Sequence, residues 1–404
     1  MQKNQWSEFW GLDPQVTFLN HGSFGACPLV VLEVQTRLRT QLESQPLRFL
    51  MREFEELLEG ARSHLAKFLH TDPADLVFVP NATTGINTVL NSFAVMGVLD
   101  QNSELLTTDH EYNACRNALD YLAERTGAKI VTAKIPFPVN NSAEINQAII
   151  SAITPKTKLV LLDHVTSQTA LVLDLQPLIA HLNNLGIPSV IDGAHAPGMV
   201  DLDLPNLGAT YYTGNCHKWL CTPKGAAFLY VRRDRQATLR PLVISHGANS
   251  PRTDKSRFHL EFDWTGTGDP TAYLSIPAAL DFFQSRLGWE TLRQQNHDQV
   301  LAARKLIAEA LGVALPCPDE MIGSMAVIPL PEDFPPPVPE VLIPLVQERL
   351  FHEFAIEVPI VPPLSSWAGD PQQPKQMVRI SAQLYNTPEQ YQYLATALQK
   401  IRAT

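Results

Sequence analysis

Residues 209–225, ATYYTGNCHKWLCTPKG, begin as a short apolar strand pattern over 209–213, break at Gly214 and then present His217 and Lys218 with Trp219 behind them. A lysine at the end of a buried strand is costly to desolvate as an ammonium. Its pKa falls, and the neutral amine becomes a nucleophile for carbonyl carbons. Most lysines are solvated surface residues, so the chemistry depends on what stands beside this one.

The elements that must position Lys218 can be read from residue 29 onward. Residues 29–69 have helical spacing, divided at Pro46. Leu76, Val77, Phe78 and Val79 form a strand-type run, and the small polar turn PNATTG follows at 80–85 before a helix through Ile86, Val89, Leu90 and Phe93. Such a turn is an anion site, because free N–H groups and the helix dipole point at a ligand; it is equally an ordinary helix cap. Strand patterns recur at 104–107, 129–134, 158–163, 189–191 and 226–231, separated by helical patterns at 113–124 and 143–153 and by a helix after Asp174, expected as its cap, that ends at Gly186. Alternation of apolar strands with helices predicts a parallel sheet covered on both faces, with ligands at the carboxyl ends of its strands. Thr83, Tyr112, Ser167, Asp192, His195, His217 and Lys218 all fall at such ends. Each alone reads as a cap, a turn residue or, for Tyr112, a core aromatic; together they point to a site.

Beyond Val231 the alternation weakens. A polar loop is expected at 246–255, a Gly/Thr turn at 262–270, helices at 273–286, 287–311, 343–353 and 388–400, and short strands at 325–329 and 378–381. PEDFPPPVPE reads as a loop. This predicts an arm over 1–28, a large α/β domain over 29–270 and a smaller α+β domain over 271–404.

The chain has 404 residues, 45% apolar and 18% charged, with a net charge of −10. Nucleic acid and anionic membrane surfaces are excluded as expected partners, and no apolar run approaches the ~18 residues of a membrane span. Five scattered cysteines without a C-x-x-C pair predict reduced thiols, a cytoplasmic setting and no metal site. G-x-G-x-x-G, G-x-S-x-G and H-E-x-x-H are all absent, which argues against a nicotinamide dehydrogenase, a serine hydrolase and a zinc peptidase.

Asp192 and Lys218 are expected on neighbouring strand ends. A carboxylate there can pair with a protonated pyridine nitrogen and keep that ring an electron sink, while the lysine forms a Schiff base and then serves as the base for a Cα proton. With NATTGIN, HEYNA, IDGAH, TGNCHKW, WTGTGD and VRISAQLYNT, the chain resembles the class V aminotransferase family of fold-type I pyridoxal-phosphate enzymes. LNHGSFG and TGNCHKWL are most similar to its isopenicillin N epimerase-like branch. The resemblance implies a mainly parallel seven-stranded sheet sandwiched by helices, and pyridoxal 5'-phosphate as cofactor.

By position it implies Lys218 as the Schiff-base lysine, Asp192 as partner of the ring nitrogen and Tyr112 stacked on the ring. Ala82, Thr83, His217 and Asn215 would hold the phosphate, joined by Thr267 from a second subunit in a homodimer with shared sites. His195 would contact the ring hydroxyl, and Arg379 would grip the substrate carboxylate, a bidentate task suited to guanidinium. Ser167 would stand near the ring and His21 near the substrate. The stretch VPIVPPLSSWAGDPQQPKQM before Arg379 contains no cysteine, which disfavours a persulfide-forming desulfurase. The expectation is an enzyme acting at the Cα of an amino acid, isopenicillin N epimerase-like, with a cysteine or cystine C–S lyase or an aminotransferase as alternatives. His21, Tyr112 and His195 are the candidates for an acid on the face opposite Lys218. A binding protein on a retired enzyme fold would have lost Lys218, Asp192 or Arg379, and all three are present.

Overall fold

The computed structural model describes residues 4–336, 343–364 and 373–403. In chain order its strands are β1 (Thr17–Phe18), β2 (Leu76–Val79), β3 (Glu104–Thr108), β4 (Lys129–Ala133), β5 (Thr157–Asp163), β6 (Ser189–Asp192), β7 (Tyr211–Asn215), β8 (Ala227–Val231), β9 (Met325–Pro329), β10 (Ile356–Glu357), β11 (Ile360–Val361) and β12 (Met377–Ser381). Seven of them form one sheet in the order β2-β8-β7-β6-β5-β3-β4. β3 to β7 are parallel to their neighbours within that group, and β8 runs antiparallel to both β7 and β2. The expected α/β fold with a mainly parallel sheet is therefore present.

Every residue of β6, β7 and β8 is buried, because each face of the sheet has its own core. Successive strand residues point to opposite faces. Leu161, Val190 and Tyr211 join Ile86, Val89 and Leu119 on one side. Leu162, Ile191 and Tyr212 join Leu178, Ile179 and Ile276 on the other. The second of these cores continues into the C-terminal part, where β11-β12-β9 form an antiparallel sheet against Trp289–Leu311 and Pro388–Arg402.

Several local expectations change. β7 does not break at Gly214 but runs on through Asn215. Gly214 is a packing requirement, since a Cβ there would stand 2.7 Å from Pro197 and 2.8 Å from Phe228. β8 reverses because residues 216–226 contain no crossover helix, and a parallel pairing needs one. The helix after the PNATTG turn starts at Ala82, because the Asn81 side chain accepts the Thr84 N–H at 2.8 Å. The helix Gln176–Asn184 is not capped by the Asp174 side chain; Leu175 is its N-cap residue. The helix expected over 273–286 is two, Thr271–Leu274 and Ile276–Arg286. Helix 287–311 starts at Trp289, after Gly288 at φ 81°. Part of PEDFPPPVPE, and residues 365–372 of the stretch before Arg379, lie outside the described residues.

The N-terminal arm ties the two parts together. β1 pairs with β10 in parallel, and the Ser381 N–H donates to the Leu19 carbonyl at 3.0 Å. A short helix, His21–Phe24, then ends at Gly25 with φ 71°. A Cβ on Gly25 would meet the His217 carbonyl at 2.3 Å and the Lys218 carbonyl at 2.7 Å. Backbone cannot yield as a flexible side chain can, and a left-handed φ penalises any Cβ in addition. Gly25→Ala is expected to cost more than about 1–2 kcal/mol, read as a lowered midpoint in urea denaturation.

Candidate active site

Lys218 sits in the connection between β7 and β8, and its backbone is clamped from several sides. Cys216 and His217 N–H groups both donate to the Ala226 carbonyl, and the Cys221 N–H donates to the Lys218 carbonyl at 3.1 Å. His21 Nε2 also reaches that carbonyl at 3.1 Å, with its ring 4.8 Å from Trp219. The Lys218 amine lies 3.1 Å from His195 Nε2. Burial lowers its pKa to about 8, against the pull of the Asp192 carboxylate, which raises it; Arg379 lowers it further and Asp163 raises it. His195 is held well below the usual imidazole range, first by burial and then by Lys218. The imidazole is therefore neutral; its Nε2 meets the Lys218 amine, and its Nδ1 is buried with no partner.

Asp192 ends β6 at 2% exposure. Its Oδ1 accepts the Ala194 N–H at 2.8 Å, and its Oδ2 accepts the Cys115 thiol proton at 3.1 Å. Gly193 must follow, because a Cβ there would lie 2.2 Å from the Tyr212 ring. Two further carboxyl groups crowd the same place. Asp163 ends β5 and is the register partner of Asp192. Glu111 follows β3, with Oε2 accepting from Thr107 Oγ1 at 3.0 Å. Burial, together with the neighbouring carboxylates, raises both well above the usual carboxylate range.

The turn at 81–85 is pressed onto the end of β7. Asn215 Oδ1 accepts the Ala82 N–H at 2.9 Å, and a Cβ on Gly85 would stand 2.2 Å from Thr213 Oγ1. Thr83 lies in the first turn of the fifteen-residue helix Ala82–Met96. His217 Nδ1 is 3.1 Å from the Ala226 carbonyl, and burial lowers its pKa to about 4.

Arg379 lies in the middle of β12, 5% exposed. One terminal nitrogen donates to the Ser167 carbonyl and, at 3.4 Å, to Ser167 Oγ; the other donates to Ser23 Oγ at 2.9 Å. Its Nε is buried without a partner. Among the described residues no carboxylate pairs with it, and burial pulls its pKa down to about 10. A buried, unpaired cation is expensive unless an anion completes it.

Two expected site residues stand elsewhere. His21 is fully buried, with Nδ1 2.9 Å from the Tyr385 hydroxyl and Nε2 on the Lys218 carbonyl. Its pKa is lowered to about 3, first by burial. It braces the lysine loop from below and presents nothing to a substrate. Thr267 lies in the exposed segment 265–269, and no hydrogen bond joins it to the cluster within this chain among the described residues. Tyr112 is half exposed, at 43%, at the N-cap of Asn113–Thr126. Glu111, Cys115, Asp163 and Ser23 join the site beyond the residues expected from sequence. Asp163 ends the run KLVLLD as Asp192 ends SVID, which is a usable signal; Glu111 lies inside HEYNA.

The family Aminotransferase class-V matches residues 26–332. The chain belongs to that family. It is 33% identical to the isopenicillin N epimerase of Streptomyces clavuligerus over 97% of both chains. It is 30% identical to a probable chloroplastic L-cysteine desulfhydrase of Arabidopsis thaliana, over 97% of this chain and 84% of that one. Among solved structures, a cystine C–S lyase in complex with its product cysteine persulfide superposes with a TM-score of 0.75 at 22% identity, covering 95% of this chain and 97% of that one. The apo cysteine desulfurase of Thermococcus onnurineus gives 0.79 at 18%, covering 98% and 97%. These likenesses show the fold-type I architecture, and the class V chain is a pyridoxal-phosphate-dependent enzyme.

The site fits that cofactor on its own terms. Its amine is desolvated, His195 Nδ1 is an orphaned buried nitrogen, Asp163 Oδ2 and Glu111 Oε1 are orphaned buried oxygens, and the helix Ala82–Met96 starts on the end of β7 through Asn215. The Asp192 charge holds the Lys218 pKa up. Asp192→Asn is therefore expected to move it below about 8, seen as faster imine formation with an added aldehyde at pH 7 in cofactor-free protein.

Proposed function

We propose that this enzyme removes the Cα proton of an amino acid with Lys218. The observation that carries the reading is a buried, carboxylate-free Arg379 together with a desolvated amine at Lys218. When bound, pyridoxal phosphate supplies a ring that takes up the electron pair left at Cα. Lys218 holds the cofactor covalently between turnovers and moves the Cα proton; an amine with a pKa of about 8 exists in part as the free base near neutral pH. Asp192 accepts the ring N–H and keeps that nitrogen protonated. His195, whose Nδ1 has no partner, would meet the ring hydroxyl. Thr83 and His217 would hold the phosphate, while the Ala82 N–H is taken by Asn215, which shapes the turn. Arg379 grips the substrate carboxylate, and Ser167 and Ser23 aim its guanidinium.

The leading label is isopenicillin N epimerase-like. Epimerisation needs a second acid, and of the three candidates only Tyr112 suits the task. His21 is sealed beneath the lysine loop, and His195 stands on the lysine's own nitrogen. Burial raises the Tyr112 phenol, which keeps it a proton carrier. The same narrowing favours a second reading, a cysteine or cystine C–S lyase, because elimination across Cα and Cβ needs no opposite-face acid; transamination is a third course for the same proton.

The working unit is proposed to be a cytoplasmic homodimer with shared sites, in which Thr267 reaches the partner's phosphate. Five free cysteines support a reducing setting. The apolar surface of Phe24, Leu47 and Met51, each at least 65% exposed, supports a second copy covering that side. No described helix is long and apolar enough to cross a membrane. The division into an arm at 1–28, a large domain at 29–270 and a small one at 271–404 is proposed on the separate sheets.

The purified protein is expected to be yellow, with a visible band that Lys218→Ala abolishes; a colourless protein that takes up no added pyridoxal phosphate refutes the reading. In deuterated water with a panel of amino acids, Cα exchange with loss of optical activity marks the epimerase. Sulfide release from cysteine or cystine marks the lyase, and keto-acid formation the aminotransferase.

A further inference from the structure

Three carboxyl groups meet at one end of the central sheet. Oxygens of Glu111 and Asp192 and the sulfur of Cys115 lie within 4.8 Å of one another, all buried. Asp163 stands beside Asp192 across the β5–β6 pairing. Three carboxylates in so little water cannot all ionise. The hydrogen bonds distinguish them. Asp192 has donors on both oxygens, from Ala194 and Cys115, the environment of a charged acceptor. The Glu111 carboxyl accepts from Thr107 Oγ1 at Oε2 and also feels the Tyr112 N–H, while its Oε1 is buried with no partner. A proton on the Glu111 carboxyl would make it a donor within 4.8 Å of the Asp192 carboxylate.

We propose that Glu111 is a positioning residue for the cofactor nitrogen: as a neutral acid anchored by Thr107, it donates a hydrogen bond to Asp192 and holds that carboxylate, with the pocket's negative charge, in the orientation the ring nitrogen requires. This rests on the assignment of Asp192 to the ring nitrogen made above. The surroundings agree. From β3 and the following helix come Cys115, Arg116 and Tyr112; from β5, Asp163 with His164; from β7, Tyr212, whose hydroxyl is 2.8 Å from His164 Nδ1; and from the lysine loop, Lys218. The hydrogen bonds from Thr107 and the Tyr112 N–H, and then Arg116, favour the ionised form of Glu111, but burial comes first among the causes and the Asp192 charge second, and both favour the proton.

The test has two readouts, and neither is turnover. The first is the pH dependence of unfolding, with and without pyridoxal phosphate. Glu111 goes from an ordinary carboxyl in the unfolded chain to about 8 in the folded one. The folded protein therefore holds the extra proton, and this group's contribution to stability falls as pH rises from about 4.3 toward 8. Glu111→Gln is expected to make that slope shallower by about one proton. The second readout is the dissociation constant of pyridoxal phosphate. Glu111→Gln, whose amide can donate to Asp192, is expected to stay within about threefold of wild type, and Glu111→Ala to weaken binding about tenfold or more, as loss of a supporting partner commonly does. A wild-type slope in Glu111→Gln, or binding in it weakened beyond about tenfold, overturns the inference even if Glu111→Ala does not fold. Wild-type protein that binds no pyridoxal phosphate fails the underlying reading instead, while the slope without cofactor still reports the proton on Glu111.

Discussion

An amine is buried beside the carboxyl groups of Asp192 and Asp163, and a guanidinium is buried with no carboxylate on it, and the surrounding structure must make both burials tolerable. Each charge taken from water must be compensated by geometry that does not relax. The negative side is built on strand ends, because parallel neighbours in register set Asp163 and Asp192 side by side. The positive side is built on two separate supports, the lysine loop between β7 and β8 and the middle of β12. Arg379 shows the balance left incomplete: its guanidinium is aimed by a carbonyl and two hydroxyl groups, which orient it without neutralising it. That unfinished compensation is what an amino-acid carboxylate would complete.

Most of what could be read from the sequence was local. The strand runs that end on Asp192 and on the His217-Lys218 pair, and the turn before Ala82, follow from patterns a few residues long, and the strands themselves lie close to where the periodicity puts them. The direction of β8 was less visible, because it depends on a missing helix and not on the strand's own residues. Gly214 read as a break because glycine usually is one, whereas here it admits Pro197 and Phe228.

What could not be read was long-range. Ser23 and Arg379 meet from opposite ends of the chain, and His21 reaches Lys218 from the arm. A histidine between small residues reads as a loop residue that might meet a ligand; only packing shows that it is buried under Lys218. The upward shift of the Glu111 carboxyl is of the same kind, since it arises from burial first and then from Asp192 on another strand.

The arm's closure carries a further consequence for how the enzyme is made. Asn4 donates to the Leu384 carbonyl, Asn386 to the Phe18 carbonyl and Ser381 to the Leu19 carbonyl, while Gly25 lies against the His217 and Lys218 backbone. Residues 4–25 are thus locked by residues more than 190 and up to 380 positions later, a closure whose entropy is repaid only when both are present. The central sheet can assemble as the polypeptide leaves the ribosome, but the brace beneath Lys218 cannot be secured until β12 has emerged. A nascent chain therefore lacks both the partners that hold His21 against Lys218 and the Arg379 guanidinium until β12 and Tyr385 have emerged.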